Sequence, residues 1–242
     1  MNNIIILAAG KGTRMKSDLP KVMQEIQNKP LIEYVISIVE GFGVKPVVGV
    51  SEDDTVKNYL GDRADYVFQT ERLGTGHAVM QTDELLKNKI GSTVVLYGDM
   101  PFIKSESIEN LIKVHNEDNS KVTLVTTRVP DFLDKYQYFY DFGRIVRNES
   151  GEIKKIVEIQ DANEEEKLID ELNTGYFCFD NEWLWENIKK LKDDNASQEY
   201  YLTDLLGVAI ENGDKVSTVE ILPEEAVGIN TKEHLEKVNQ DI

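Results

Sequence analysis

The 242-residue chain carries 44 acidic against 27 basic side chains, a net charge of −17, and is 40% hydrophobic. That balance fits a soluble globular protein with a substantial core and excludes general attraction to nucleic acid or to an anionic membrane surface. A lone cysteine, Cys178, excludes an intrachain disulfide framework and a thiolate metal centre.

Residues 4–7 (IIIL) are a β-branched run of the kind buried on both faces of a central parallel strand. The run is too short for a secretory core and no basic segment precedes it. With no stretch near 18 apolar residues elsewhere, a soluble, cytoplasmic protein is expected. The strand passes into Ala8, Ala9, Gly10 and Gly12, small residues that let backbone amides approach an anion. Lys11, Arg14, Lys16 and Lys21 then gather within one loop, against the overall charge. The loop misses both familiar phosphate patterns. Thr13, Arg14 and Met15 follow Gly10-Lys11-Gly12 where a dinucleotide fingerprint needs a third glycine, and Met15 stands where a P-loop needs its Gly-Lys pair. On pattern alone it reads equally as a tight turn with solvated lysines or as a phosphate site.

The spacing next predicts a helix over 30–43, a strand over 47–50, a helix over 55–60 and a strand over 66–69. A loop over 70–76 leads to a helix starting near His77, which should pack there. Residues 92–97 (STVVLY) form the second strongly buried strand, ending at Gly98-Asp99, and Ser105 is placed to cap a helix to about 116. Residues 122–129 are another apolar strand. This alternation predicts an α/β fold, a Rossmann-like doubly wound and mostly parallel sheet. After Pro130 the rhythm changes. A hairpin is expected from strands 144–147 and 153–159 around Ser150-Gly151, then a solvated surface helix over 161–171 and a strand over 173–179 with Cys178 as packed core. Helices over 182–191, carrying Trp183 and Trp185 as core, and 203–211 follow. A strand over 215–221 and a final helix capped by Thr231 close the chain. His115 and His234 are expected at the surface. The second half reads as an α+β extension of the same sheet, giving a single domain over 1–242.

In open α/β sheets, ligands bind beyond the carboxyl ends of the strands. The basic loop, the loop 69–76 and Gly98-Asp99 all fall at such ends. An aspartate after a buried strand suits Mg²⁺ beside phosphates, although Asp99 alone could equally cap a turn. Thr75-Gly76 could present amides to an anion or a base edge, or simply begin a helix. Together these features suggest a metal-nucleotide site.

LAAGKGTRM with LPK at 19–21, Gln69 with LGTGHA at 73–78, YGD at 97–99 and FGRIVR at 142–147 together resemble the sugar nucleotidyltransferases. IVE at 156–158, LNTG at 172–175, EYYLTD at 199–204 and VGIN at 227–230 narrow the resemblance to the bacterial N-acetylglucosamine-1-phosphate uridylyltransferases, collinearly over nearly the whole chain. The resemblance implies a nucleotide-diphospho-sugar transferase fold, with 1–129 as nucleotide-binding half and 130–242 as sugar-binding half and C-terminal helix. It implies transfer of UMP from UTP to N-acetylglucosamine 1-phosphate, with Mg²⁺, in cell wall precursor synthesis. Leu7, Ala8, Ala9, Gly10, Gln69, Gly74 and Thr75 would surround the uracil, with Tyr97 and Gly98 at the neighbouring strand end. Arg14 and Lys21 would meet the phosphates as catalytic cations. Asp99 and Asn230 would hold the metal, and Gly143, Glu158, Asn173, Tyr201 and Thr203 would hold the sugar. Small-molecule substrates are the implied partners, with no nucleic acid or membrane, and the oligomeric state is left open. Two departures lie on the sugar side, the long aromatic PDFLDKYQYFYDFGRI and the pair Ile159-Gln160. They leave room for another sugar 1-phosphate or for dTTP. A catalytically silent relative would be expected to have lost one of Arg14, Lys21, Asp99 and Asn230, and all four are present. No hexapeptide-repeat pattern occurs within these residues.

Overall fold

The structure, a computed structural model, describes residues 2–10, 12, 15, 17 and 19–241. The chain runs β1 (Asn2–Leu7), a small ribbon of β2 (Glu25–Ile26) and β3 (Lys29–Pro30), α1 (Leu31–Gly41), β4 (Val47–Val50), α2 (Thr55–Leu60), β5 (Asp65–Phe68), α3 (Thr75–Met80), α4 (Asp83–Leu86) and β6 (Ser92–Tyr97). It continues through α5 (Ser105–Glu117), β7 (Val122–Arg128), β8 (Arg144–Arg147), β9 (Ile153–Val157), β10 (Glu171–Asp180), α6 (Asn181–Asn187), α7 (Asp204–Asn212), β11 (Val216–Ile221) and α8 (Lys232–Asp241).

The main sheet has the order β11-β7-β10-β6-β1-β4-β5, with the β8–β9 hairpin attached to β10. β1 is parallel to β4 and β6, β4 to β5, and β7 to β11. β10 alone runs antiparallel between β6 and β7. The α/β, mostly parallel sheet expected from the alternation is therefore present. β1 explains why the fold forms around it. Side chains alternate across a strand, so Ile4 and Ile6 enter the core beneath α1 while Ile5 and Leu7 enter the core shared with α3, α6 and α7. A third cluster of Met15, Ile26, Leu31 and Ile229 seats the ribbon against the C-terminal segment. Cys178 is fully buried, and burial pushes its thiol up to about 12, as a core residue requires. No helix among the described residues is long and apolar enough to cross a membrane.

Several local expectations are corrected. The helix over 161–171 does not form. Asn163 Oδ1 accepts the amides of Glu165 and Glu166 and opens a single short turn, Glu166–Leu168, that goes no further than Ile169. Glu171 is instead drawn into β10, buried at 3% exposure and bound by Arg128 and Arg147, each at 2.6 Å. Ser105 is the first helical residue rather than the cap. The distant Glu225 carboxylate accepts the Lys104 amide at 3.2 Å and the Ser107 hydroxyl at 2.5 Å. The helix over 182–191 stops at Asn187 and tightens into a 3-10 turn. The segment 131–142 winds through Asp134–Asp141 as 3-10 turns over a buried Phe139, with the Tyr138 ring 4.8 Å from that of His234. His234 is thus half-buried rather than a surface residue.

His115 is also inside, 4% exposed, with Nδ1 3.0 Å from the Thr123 hydroxyl. Desolvation lowers its pKa to about 4, below an unfolded value near 6.5. A depressed folded-state value means that stability is fully present above pH 6.5 and is lost as pH falls towards 4. Between pH 7.5 and 5 the wild type is expected to lose about 2 kcal/mol more than a His115→Asn variant, as read by urea unfolding at the two pH values. Equal losses would show that the imidazole takes up its proton without unfolding.

Candidate active site

The adjacent ends of β1 and β6 are joined by the Gly98 amide donating to the Leu7 carbonyl at 3.0 Å. Around that junction lies a cavity of about 220 Å³. It takes in Leu7, Ala8, Ala9 and Gly10 from the end of β1, Gln69, Gly74 and Thr75 from the segment after β5, and Lys21, Tyr97 and Asp99 from its inner wall. A larger cleft of about 830 Å³, between the aromatic segment 132–141 and α8, shares no residue with it.

The wall after β5 is tightly built. Gly74 has φ +100, and an added Cβ would lie 2.7 Å from the Tyr200 carbonyl oxygen. Only glycine fits there. The Tyr200 amide donates to the Leu73 carbonyl at 2.7 Å, and the Leu202 amide donates to Thr75 Oγ1 at 3.1 Å. Gln69 is 7% exposed, and its Nε2 donates to the Gly74 carbonyl at 3.2 Å. That bond fixes the amide so that Oε1 is left as an acceptor.

On the inner wall, the Lys21 ammonium touches both the Asp99 carboxylate and the Asn230 carboxamide oxygen. The Ile229 amide donates to the Asp99 carbonyl at 2.9 Å, which brings Asn230 beside Asp99 although they are far apart in sequence. Two oxygen donors thus converge on one cation. Among the described residues no group of three or more His, Cys, Asp or Glu forms a metal cluster. One carboxylate and one carboxamide leave most of a coordination sphere to other oxygens, the arrangement Mg²⁺ favours beside phosphates. Arg14, with Lys11 and Lys16, lies outside the described residues.

The residues expected on the sugar side form a second group. Thr203 Oγ1 donates to Glu158 Oε1 at 3.2 Å, and Gly143 packs against the same carboxylate. Burial pushes the Glu158 carboxyl up, and the Thr203 bond opposes the shift. The Asn173 amide donates to the Gly143 carbonyl at 2.9 Å, and its side-chain oxygen accepts the Gly175 amide at 3.1 Å. Tyr201 is half-buried in the field of Asp161, Glu158 and Glu199. Tyr97 joins the two groups. Its phenol lies near Thr75, and burial together with Glu158 and Asp99 holds its pKa well above the usual range. Sequence reasoning missed Arg72 and Glu199, which also line the cavity. A cation in a strand-end loop was the available signal for Arg72.

Residues 4–194 match the family described as MobA-like NTP transferase domain. The chain belongs to that family. The matched span of this NTP transferase contains the whole 220 Å³ cavity except Glu199, and ends before Tyr201, Thr203 and Asn230. The chain is also 42% identical, over 98% of its length, to a protein named Bifunctional protein GlmU from Limosilactobacillus fermentum, of which it covers 51%. Proteins of the same name from Brevibacillus brevis and Halalkalibacterium halodurans are 41% and 40% identical over 96% and 98% of the chain, covering 49% and 51% of those proteins. This NTP transferase therefore spans about half the length of the curated relatives it matches.

Proposed function

We propose that the protein is a Mg²⁺-dependent uridylyltransferase that joins UTP and N-acetylglucosamine 1-phosphate into UDP-N-acetylglucosamine and pyrophosphate, in the cytoplasm, for cell wall precursors. One observation carries the reading. The Lys21, Asp99 and Asn230 contact borders the same pocket as a fixed amide acceptor, and Tyr97 of that pocket neighbours Glu158 in a group of carboxylate, amide and hydroxyl side chains. The relatives' name and the family match support the nucleotidyl-transfer class.

In this reading Gln69 Oε1 accepts the N3–H of uracil, a hydrogen that cytosine lacks. Glu158, Asn173 and Thr203 hold the hydroxyls and acetamido group of the hexosamine. A phosphate oxygen of the sugar phosphate attacks the α-phosphorus of UTP in line, and the bond to pyrophosphate breaks. The attacking phosphate is already ionised at neutral pH, so the chain needs no general base. Its residues position the two substrates and neutralise charge. Asp99 and Asn230 would hold Mg²⁺, which when bound supplies positive charge to the phosphate oxygens.

The test is pyrophosphate release with UTP, dTTP and CTP against a panel of sugar 1-phosphates, with and without EDTA. Highest kcat/KM is expected for UTP with N-acetylglucosamine 1-phosphate, abolished by EDTA. No turnover with any pair, or full activity in EDTA, would overturn the proposal.

A further inference from the structure

The base-side cavity has two walls from different parts of the chain, the end of β1 and the segment after β5. One side chain spans them. Arg72 Nε donates to the Ala9 carbonyl at 3.1 Å, and the Arg72 side chain lines the cavity. The last ladder-like bond at the end of β1 is from the Ala8 amide to Gly49. Ala9 lies beyond it, buried at 5% exposure and past Leu7, the last residue of β1 paired in either ladder. Its carbonyl is therefore held from the opposite wall. That wall is itself held, because Gln69 binds the Gly74 carbonyl across the loop that carries Arg72, and the Tyr200 amide binds the carbonyl of Leu73, the residue after it. A guanidinium on a fixed loop is a strut as well as a charge, since its planar fork loses little freedom per bond formed.

We infer that Arg72 is a nucleotide-positioning residue, setting the Ala8–Gly10 platform against the Gln69 wall so that the base end of a nucleoside di- or triphosphate is held between them. The inference rests on the nucleotide reading above. It goes beyond that reading by assigning to the loop side chain Arg72 a role that acts through Ala9. A position that braces the base platform affects every ligand carrying the base, and leaves ligands lacking it unaffected. The main alternative for the guanidinium, pairing with the outer phosphates, affects UTP and pyrophosphate but not a nucleoside diphosphate sugar.

Arg72 is exposed, so its replacement should leave the fold intact, which circular dichroism would verify. Titration calorimetry and initial rates would compare wild type, Arg72→Leu and Arg72→Gln with UTP, UDP-N-acetylglucosamine and pyrophosphate. For Arg72→Leu, Kd and KM are expected to rise about tenfold for UTP and the UDP-sugar, the loss of one charge-assisted bond. KM for pyrophosphate should be unchanged and kcat should stay within about twofold. Glutamine keeps an N–H donor without the charge, so Arg72→Gln should recover most of the affinity. Unchanged Kd values for Arg72→Leu would overturn the inference, as would weakening confined to UTP and pyrophosphate. A glutamine variant no better than leucine would show that charge, not bracing, matters. Wild-type protein that binds neither nucleotide would instead overturn the functional proposal itself, a result separable from all of these.

Discussion

Replacing Lys21 with methionine is expected to lower turnover about 10²- to 10³-fold, the usual cost of removing one preorganised group from a charge-developing transition state. The same substitution should tighten binding of Mn²⁺, used as a probe for Mg²⁺, about tenfold when no nucleotide is present. The two effects have one cause. The ammonium rests on Asp99 and Asn230, the two oxygens a divalent ion would use. Both members of the ion pair are largely withdrawn from water, with side-chain exposures of 13% and 17%. A cation there competes with any metal until it is drawn to an anion of its own. Methionine fills similar volume without charge, leaving Asp99 unpaired and more attractive to the metal. Electron paramagnetic resonance titration of Mn²⁺ and steady-state rates on the same preparation would check both halves. Retained turnover would remove Lys21 from the chemistry. Weaker metal binding would place the metal elsewhere than between Asp99 and Asn230.

Gly175→Ala is expected to destabilise the protein by about 3 kcal/mol and to reduce activity about 100-fold. Gly175 has φ +87, and an added Cβ would lie 2.8 Å from Cε2 of Tyr97 and 3.1 Å from Cζ. The ring has little room to yield, since it packs edge-on against Tyr176 and against the core cluster beneath it. Tyr97 also stands within the field of both Glu158 and Asp99, so moving it disturbs together the groups proposed to hold the sugar and the metal. Gly151→Ala separates backbone strain from the collision. Gly151 has φ +83 but nothing within 4 Å of an added Cβ, so its variant should lose only about 1–2 kcal/mol and keep full activity. Thermal melts and assays of the pair would decide the matter. Equal behaviour would mean that the contact with Tyr97 is relieved at no cost.

The elements best foreseen from sequence are those whose signal is local. The runs at 47–50, 55–60, 92–97 and 144–147 coincide with β4, α2, β6 and β8, because an apolar period or a turn signal lies within each. The site's strand-end logic was legible for the same reason, since Gln69, Gly74, Tyr97 and Asp99 each follow or end a recognisable strand. What escaped depends on partners distant in sequence. Glu171 looked like one more surface acid until Arg128 and Arg147 surrounded it. His115 lies on a predicted helix face, and only the approach of Thr123 makes that face interior. The cap of α5 comes from Glu225, over a hundred residues later. Arg72 had no pattern of its own, and the Ala9 carbonyl it binds lies 63 residues away.

The antiparallel placement of β10 has a consequence for how the molecule is made. Among the described residues β7 pairs with β10 and β11 alone, and β6 meets β10 on the side away from β1. While the chain is emerging from the ribosome, β6 therefore presents a bare apolar edge, and β7 has no strand to join, until residue 180 has been synthesised. At common elongation speeds of roughly 5–20 residues per second, that interval lasts several seconds. Unpaired strand edges are templates for aggregation, so the span between β7 and β10 is the time in biosynthesis when this protein most depends on protection by chaperones.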